Sequence, residues 1–120
     1  MQGRLSPPVD GRIQAFPRDR WREEFILADE VDLRIMEWTL DQEGLFENPL
    51  MTVAGRQEIR QLSERHGVAI PSLTGDCFMQ APFWKVSGEQ RYRLEGVVRG
   101  VLGACRAAGI GTVVVPLVDE

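Results

Sequence analysis

The sequence contains few of the residues that build metal, redox or nucleic-acid sites. It has one histidine and two cysteines, and Cys77 and Cys105 lack the C-x-x-C spacing of zinc and redox motifs. Two isolated cysteines do not indicate a disulfide framework either. The net charge is −4, so no basic field would attract a nucleic acid. We therefore expect no nucleic-acid partner and a reducing, cytoplasmic location.

The sequence also lacks the apolar run of about 20 residues that crosses a bilayer. Its N-terminus has Arg4, Pro7 and Pro8 where a secretory signal would have an apolar segment. We expect no membrane partner and no export. The hydrophobic content of 43% is enough for one packed core, which predicts a single domain over residues 1–120.

Short β-branched runs alternate with longer helical periods, which indicates an α/β fold with a parallel sheet. Gly67 and Gly109 mark helix ends, and Ser87 with Gln90 forms a capping-box pattern at a helix start. A proline, Pro71, interrupts one predicted strand, where it cannot donate a ladder hydrogen bond. A first strand would lie within residues 1–5; after it we predict helices at 17–31, 53–66 and 87–109, and strands at 34–40, 69–73 and 112–118.

Two long loops, Asp41–Met51 and Thr74–Val86, follow predicted strands, which is where parallel α/β folds place binding residues. Glu37 and Trp38 lie near the end of the preceding strand and suit a sugar's hydroxyls and ring face. The alternative places Trp38 in the core and pairs Glu37 with an arginine. Asp76 follows the next strand as a hydroxyl ligand or, alternatively, as a turn residue.

Several segments resemble, in order, the first four strands of sugar phosphate isomerases and epimerases of the xylose isomerase-like superfamily. The similar segments are Met1-Gln2-Gly3-Arg4-Leu5-Ser6-Pro7, Ile35-Met36-Glu37-Trp38, Asn48-Pro49-Leu50, Ser72 to Pro82 with Gly75-Asp76-Cys77-Phe78-Met79, and Val114-Val115-Pro116-Leu117-Val118-Asp119. The resemblance implies a half-barrel, the N-terminal three to four βα units of a TIM barrel. Gln2 and Arg4 match its first-strand motif, and the guanidinium of Arg4 suits a phosphate or carboxylate.

The resemblance also implies what the chain does not contain. In this family Glu, Asp, His and Glu from later strands hold a divalent metal, Mn²⁺ or Mg²⁺, and those positions have no counterpart here. We predict no catalytic residue and no metal ligand in these 120 residues, and no catalysis by them alone. The predicted role is to form one side of a binding site for a sugar or sugar phosphate. The predicted substrate-binding residues are Gln2, Arg4, Glu37, Trp38 and Asp76.

Two other interpretations remain open. A non-catalytic half-barrel would have two unpaired sheet edges and an apolar inner face, and a second copy would cover both, so a homodimer is expected. The abrupt end at Asp119-Glu120 suggests that a larger barrel has been cut. An open flavodoxin-like sheet is the last interpretation, although no glycine-rich phosphate loop follows any strand.

Three further features have predicted roles. His66, in the last turn of a helix, is expected to be structural. Cys77 has no histidine nearby in sequence and is expected to be unreactive. The aromatic residues Phe78, Phe83 and Trp84 form a lid over a ligand, a cover for the barrel mouth or a contact with another subunit.

Overall fold

The computed structural model describes residue 1, residues 4–12 and residues 14–118. Three parallel strands form one sheet in the order β1-β2-β3, which confirms the α/β class. The strands are β1 Ile35–Leu40, β2 Ala69–Gly75 and β3 Thr112–Val114. The α-helices are α1 Trp21–Glu30, α2 Val53–His66, α3 Asp76–Gln80 and α4 Gly88–Ala108. The strand predicted within residues 1–5 falls partly on Gln2 and Gly3, which lie outside the described residues.

Helix α2 has the predicted bounds because both of its ends are capped. Thr52 precedes the helix, and its hydroxyl accepts a hydrogen bond from the backbone N–H of Gly55 at 2.9 Å. At the other end Gly67 adopts a φ of 64°, the left-handed conformation that glycine adopts without strain. The confirmed prediction rests on local capping chemistry that the sequence displays.

Helix α1 is shorter than predicted. It begins at Trp21, because the backbone N–H of Arg20 donates to the carbonyl of Pro17 at 3.0 Å in a separate turn. It ends before Val31, whose side chain is 59% exposed rather than on the apolar face. Trp21 and Phe25 are buried as expected.

Helix α4 follows the predicted apolar period, and Val101 and Cys105 are buried in the core. The predicted capping box is not formed, because the Ser87 side chain makes no hydrogen bond to the first turn. The helix ends at Gly109, which has the left-handed φ of 78°.

Strand β2 continues through Pro71 by means of an irregularity. Ile35 and Glu37 of β1 are two residues apart, whereas their partners in β2, Ala69 and Ser72, are three apart. This β-bulge contains Pro71, which therefore breaks no regular ladder position. The carbonyl of Pro71 still accepts a hydrogen bond from the N–H of Gly111 at 3.2 Å. The predicted strand is confirmed, and it extends two residues further, to Gly75.

The two faces of the sheet differ in chemistry. One face packs against α1, α2 and α4 through side chains that include Met36, Trp38, Leu40 and Leu73, all buried. Alternation along a strand places Glu37 and Thr39 on the opposite face, next to their β2 partners. That face is polar over β1 and the end of β2, with Ser72 and Thr74 beside Glu37 and Thr39. The expectation of an apolar inner face was therefore wrong for this part of the sheet, while the homodimer stays a prediction.

The remaining segments contain short elements that the sequence did not reveal. Two 3₁₀ turns, Leu45–Glu47 and Pro49–Met51, lie in the loop after β1, and a third, Phe83–Lys85, precedes α4. Strand β3 ends at Val114, so residues 115–118 were wrongly predicted as strand. Within the described residues, none of the helices has the length and apolar character needed to cross a membrane.

Candidate functional site

Acidic side chains gather where β1 and β2 end. Asp41 directly follows β1, and Asp76 directly follows β2 as the first residue of α3. Glu37 lies within β1 on the polar face of the sheet. Parallel strands end at a common edge, where α/β folds place their ligand sites. We call Glu37, Asp41 and Asp76, together with Arg12 and Gln80, the strand-end site.

Glu37 is held by hydroxyl groups of the neighbouring strand. Ser72 Oγ donates to one carboxylate oxygen at 2.6 Å, and Thr74 Oγ1 donates to the other. The hydrogen bond from Ser72, followed by that from Thr74, lowers the pKa of Glu37 below its usual value. Glu37 is therefore a fixed, ionised acceptor, and its partners are hydroxyls rather than the arginine considered from the sequence.

This arrangement predicts the effect of removing both hydroxyls. The ionised Glu37 stabilises the folded chain above the pKa it has when unfolded, and that stability is lost as pH falls through the lower, folded pKa. In Ser72→Ala/Thr74→Val we expect the Glu37 pKa to rise toward its ordinary value and the free energy of unfolding at neutral pH to fall by about 1 kcal/mol. Carboxyl NMR titration and urea unfolding measure the two quantities.

The matched control is Ser87→Ala, which removes a hydroxyl that makes no cap hydrogen bond. It should leave both the Glu37 pKa and the stability near wild type. An unchanged Glu37 pKa in the double variant would contradict the proposed hydrogen bonds.

Each carboxylate oxygen of Asp41 also accepts a hydrogen bond. The backbone N–H of Phe16 donates to Oδ2 at 2.7 Å, and Gln80 Nε2 donates to Oδ1 at 3.2 Å. The amide of Gln80 in turn accepts from the N–H of Gln42 at 2.7 Å. Asp41 and Gln80 therefore tie the ends of β1 and α3 to the N-terminal segment. The sequence contained one signal for Asp41: it directly follows a strand, as Asp76 does.

Asp76 differs from the other two carboxylates. It is 8% exposed, and no donor among the described residues forms a hydrogen bond with its carboxylate. Burial, followed by repulsion from Asp41 and Glu37, raises the pKa of Asp76 above its usual value. The Asp76 carboxylate therefore accepts no hydrogen bond from the described residues, and two other carboxylates lie near it.

A cavity of about 350 Å³ opens beside Asp76, and Arg12, Asp41 and Gln80 also line it. A second cavity of about 450 Å³ shares Arg12, Asp41 and Gln80, so the two are adjacent. This size falls in the range of small-molecule sites. Arg12 is held over the cavities by a tight hairpin in which Val9 and Arg12 pair, with Asp10 and Gly11 at positive φ.

Of the two residues predicted from the first-strand motif, one can be placed. Gln2 lies outside the described residues. Arg4 is not in the strand-end site: its side chain is 3% exposed and lies 3.9 Å from Glu24. Its guanidinium also donates to the carbonyls of Ala15 and Pro7. The structure thus places Arg4 in a buried ion pair that fastens the N-terminal segment, without a free surface for an anion.

Trp38 lies in the core rather than on a ligand surface. Its ring is fully buried, with the Phe16 ring centroid at 5.5 Å and the Trp21 centroid at 5.8 Å. The indole N–H donates to Asn48 Oδ1 at 3.1 Å. The alternative that the sequence left open, a core role, describes this residue, and its ring is not accessible to a sugar.

The remaining predicted features lie away from ligand chemistry. Burial raises the pKa of the Cys77 thiol to about 12, so the thiol stays protonated. His66 Nδ1 is 3.2 Å from Asp29 Oδ2 at the opposite end of the sheet. Phe78 is buried beside Gly75, while Phe83 and Trp84 pack edge to face at 5.3 Å.

A larger cavity, of about 720 Å³, lies between α1 and the start of α2. Two of its charged residues are paired with each other: Arg22 Nη2 donates to Glu58 at 2.9 Å, and the Arg22 guanidinium lies 4.5 Å from the Trp21 ring centroid. No described side chain in this cavity has the unfilled hydrogen-bonding capacity of a buried carboxylate such as Asp76.

The strand-end site does not fit the divalent metal of the resembled family. Among residues 1, 4–12 and 14–118, no three ligating side chains group closely enough to hold a metal ion. No chemical step through a metal is therefore derived.

Comparison of the chain with protein-family models, curated proteins and solved structures found no match. Function is therefore inferred from the fold and from the geometry of the strand-end site.

Proposed function

We propose that the chain forms the first βα units of a sugar isomerase or epimerase barrel of the xylose isomerase-like type. In this proposal the strand-end site is part of the sugar-binding site. The principal support is that Asp41 and Asp76 directly follow two neighbouring parallel strands and line one cavity, with Glu37 three residues before the end of β1 on the polar face. Sugars present many hydroxyl donors, and carboxylates are strong acceptors for them.

The strand connections also support the proposal. The strands are adjacent in chain order, and each crossover contains a helix, as a βα barrel requires. The amino group of Met1 donates to the carbonyl of Glu37, so the N-terminal residue lies along the free edge of β1. A first barrel strand would occupy that edge. The proposed role of the strand-end site is sugar binding.

The proposal predicts that neutral monosaccharides bind at the strand ends. Titration of the isotope-labelled chain with D-xylose and D-fructose, followed by amide NMR, should shift resonances of 41–42 and 75–80 with a Kd of about 1–10 mM. Asp76→Ala removes the unpartnered acceptor and should weaken binding about tenfold.

The matched control is Glu23→Ala, which removes a carboxylate from the exposed first turn of α1. It should leave the sugar affinity at the wild-type value. Amide shifts that are absent at the strand ends, or equally affected by both variants, would contradict the proposed function.

A further inference from the structure

Asp76 has hydrogen-bonding capacity that the protein does not fill. The residue is more than nine-tenths buried, yet its carboxylate lines the cavity of about 350 Å³. Within the described residues, no backbone or side-chain group donates to it, whereas Glu37 and Asp41 each accept two hydrogen bonds. A carboxylate that faces a cavity and accepts no hydrogen bond from a described residue is available to a ligand that supplies a donor.

The charges around Asp76 determine whether a charged or a neutral hydrogen-bond donor binds there more favourably. Burial, followed by repulsion from Asp41 and Glu37, raises the pKa of Asp76. In the lining of this cavity Arg12 supplies one positive charge against the two carboxylates of Asp41 and Asp76, and its guanidinium also lies 4.0 Å from the exposed Glu43. The excess charge in the cavity is therefore negative, and it favours a cation over a neutral or anionic group.

We propose that Asp76 binds a protonated amino group, and that the ligand of the strand-end site is an amino sugar or a similar amino polyol. The inference rests on the proposed function for the hydroxyl-bearing part of the ligand, and it goes further by naming the charged part. An ammonium group has three donors and fits one carboxylate as a charge-assisted hydrogen bond. Glu37 and Asp41 stabilise its charge from a distance, and Gln80 lines the same cavity with its amide. A sugar phosphate would place a dianion against the same carboxylates.

The test compares four probes on the full chain by calorimetry and amide NMR, slightly below neutral pH: D-glucosamine, D-glucose, D-glucose 6-phosphate and ethanolamine. D-Glucosamine should bind about tenfold more tightly than D-glucose, since a charge-assisted hydrogen bond replaces a neutral one. D-Glucose 6-phosphate should bind more weakly than D-glucose. Added salt should reduce the glucosamine preference, because it rests on charge.

Asp76→Asn keeps the shape and one acceptor oxygen but removes the charge. In this variant D-glucosamine should fall to the affinity of D-glucose. Glu23→Gln makes the same change in net charge on exposed α1 and should retain the preference. A thermal melt verifies that Asp76→Asn is folded, and its Tm should equal or exceed that of wild type because a buried unpartnered charge is lost.

The outcomes separate this inference from the proposed function. Equal affinity for glucosamine and glucose, or a preference for glucosamine that persists in Asp76→Asn, overturns the amine site. Neither result contradicts the proposed binding of neutral sugars. Binding of ethanolamine and D-glucosamine at Asp76, without binding of D-glucose, D-xylose or D-fructose, upholds the amine site and overturns the proposed binding of neutral sugars. Absence of shifts at the strand ends with all four probes overturns both.

Discussion

Gly55→Ala is expected to destabilise the chain by about 3 kcal/mol. A Cβ at Gly55 would lie 2.0 Å from the carbonyl oxygen of Pro49 and 2.5 Å from its Cα. These are backbone atoms, so no rotamer change relieves the overlap. The first turn of α2 would have to move away from the 3₁₀ turn Pro49–Met51 or distort it. Urea unfolding followed by circular dichroism measures the loss.

The control for this substitution lies in the middle of α4. Gly96 is exposed, and a Cβ built there meets no atom within 4 Å. Gly96→Ala should stabilise the chain by about 0.5–1 kcal/mol, because alanine has the higher helix propensity. If Gly55→Ala unfolded at the same urea concentration as wild type, the close approach of α2 to Pro49 would be refuted.

Trp38→Ala is expected to cost about 4 kcal/mol of folding free energy. The ring is fully buried, and Phe16, Trp21 and Phe25 surround it. The substitution removes this contact area and leaves a cavity at the centre of the layer between sheet and helices. It also removes the donor to Asn48, although the N–H of Leu50 still donates to the same oxygen at 3.0 Å. Unfolding in urea is again the measurement.

A second variant separates the core role of Trp38 from the ligand role considered from the sequence. Trp38→Phe keeps most of the apolar contact and should cost about 2 kcal/mol. Its affinity for D-xylose should match wild type, because the ring faces the helices and not the strand-end cavities. A tenfold loss of D-xylose affinity in a folded Trp38→Phe chain would show that Trp38 contributes to sugar binding.

The parts of the fold that the sequence predicts well are those that local chemistry specifies. Helix α2 has its predicted bounds because a threonine and a glycine cap it. Strand β2 was predicted despite Pro71, but the bulge that accommodates the proline depends on the register with β1 and has no local signal. The serine before α4 has the right identity for a cap, yet its side chain makes no such bond. Capping patterns indicate where a helix begins more reliably than which contacts form there.

The sequence predicts the positions of some residues of the strand-end site but not their long-range partners. The position of Asp76 follows from its place after a strand, and Asp41 shares that signal, although it was missed. The alternation in Met36-Glu37-Trp38-Thr39-Leu40 also shows that Glu37 and Trp38 must face opposite sides of the sheet. Long-range pairs such as Arg4 with Glu24, or Glu37 with Ser72, depend on how distant segments align, which one sequence does not display.

The difference between the two faces of the sheet has a consequence for the evolution of this fold. Met36, Trp38 and Leu40 belong to the packed layer, while Glu37 and its β2 partners belong to the polar face. A substitution at Glu37 changes the polar face without replacing a side chain of the packed layer. The chemistry of the polar face and the contacts of the packed layer are therefore encoded at alternate positions of the same short strand.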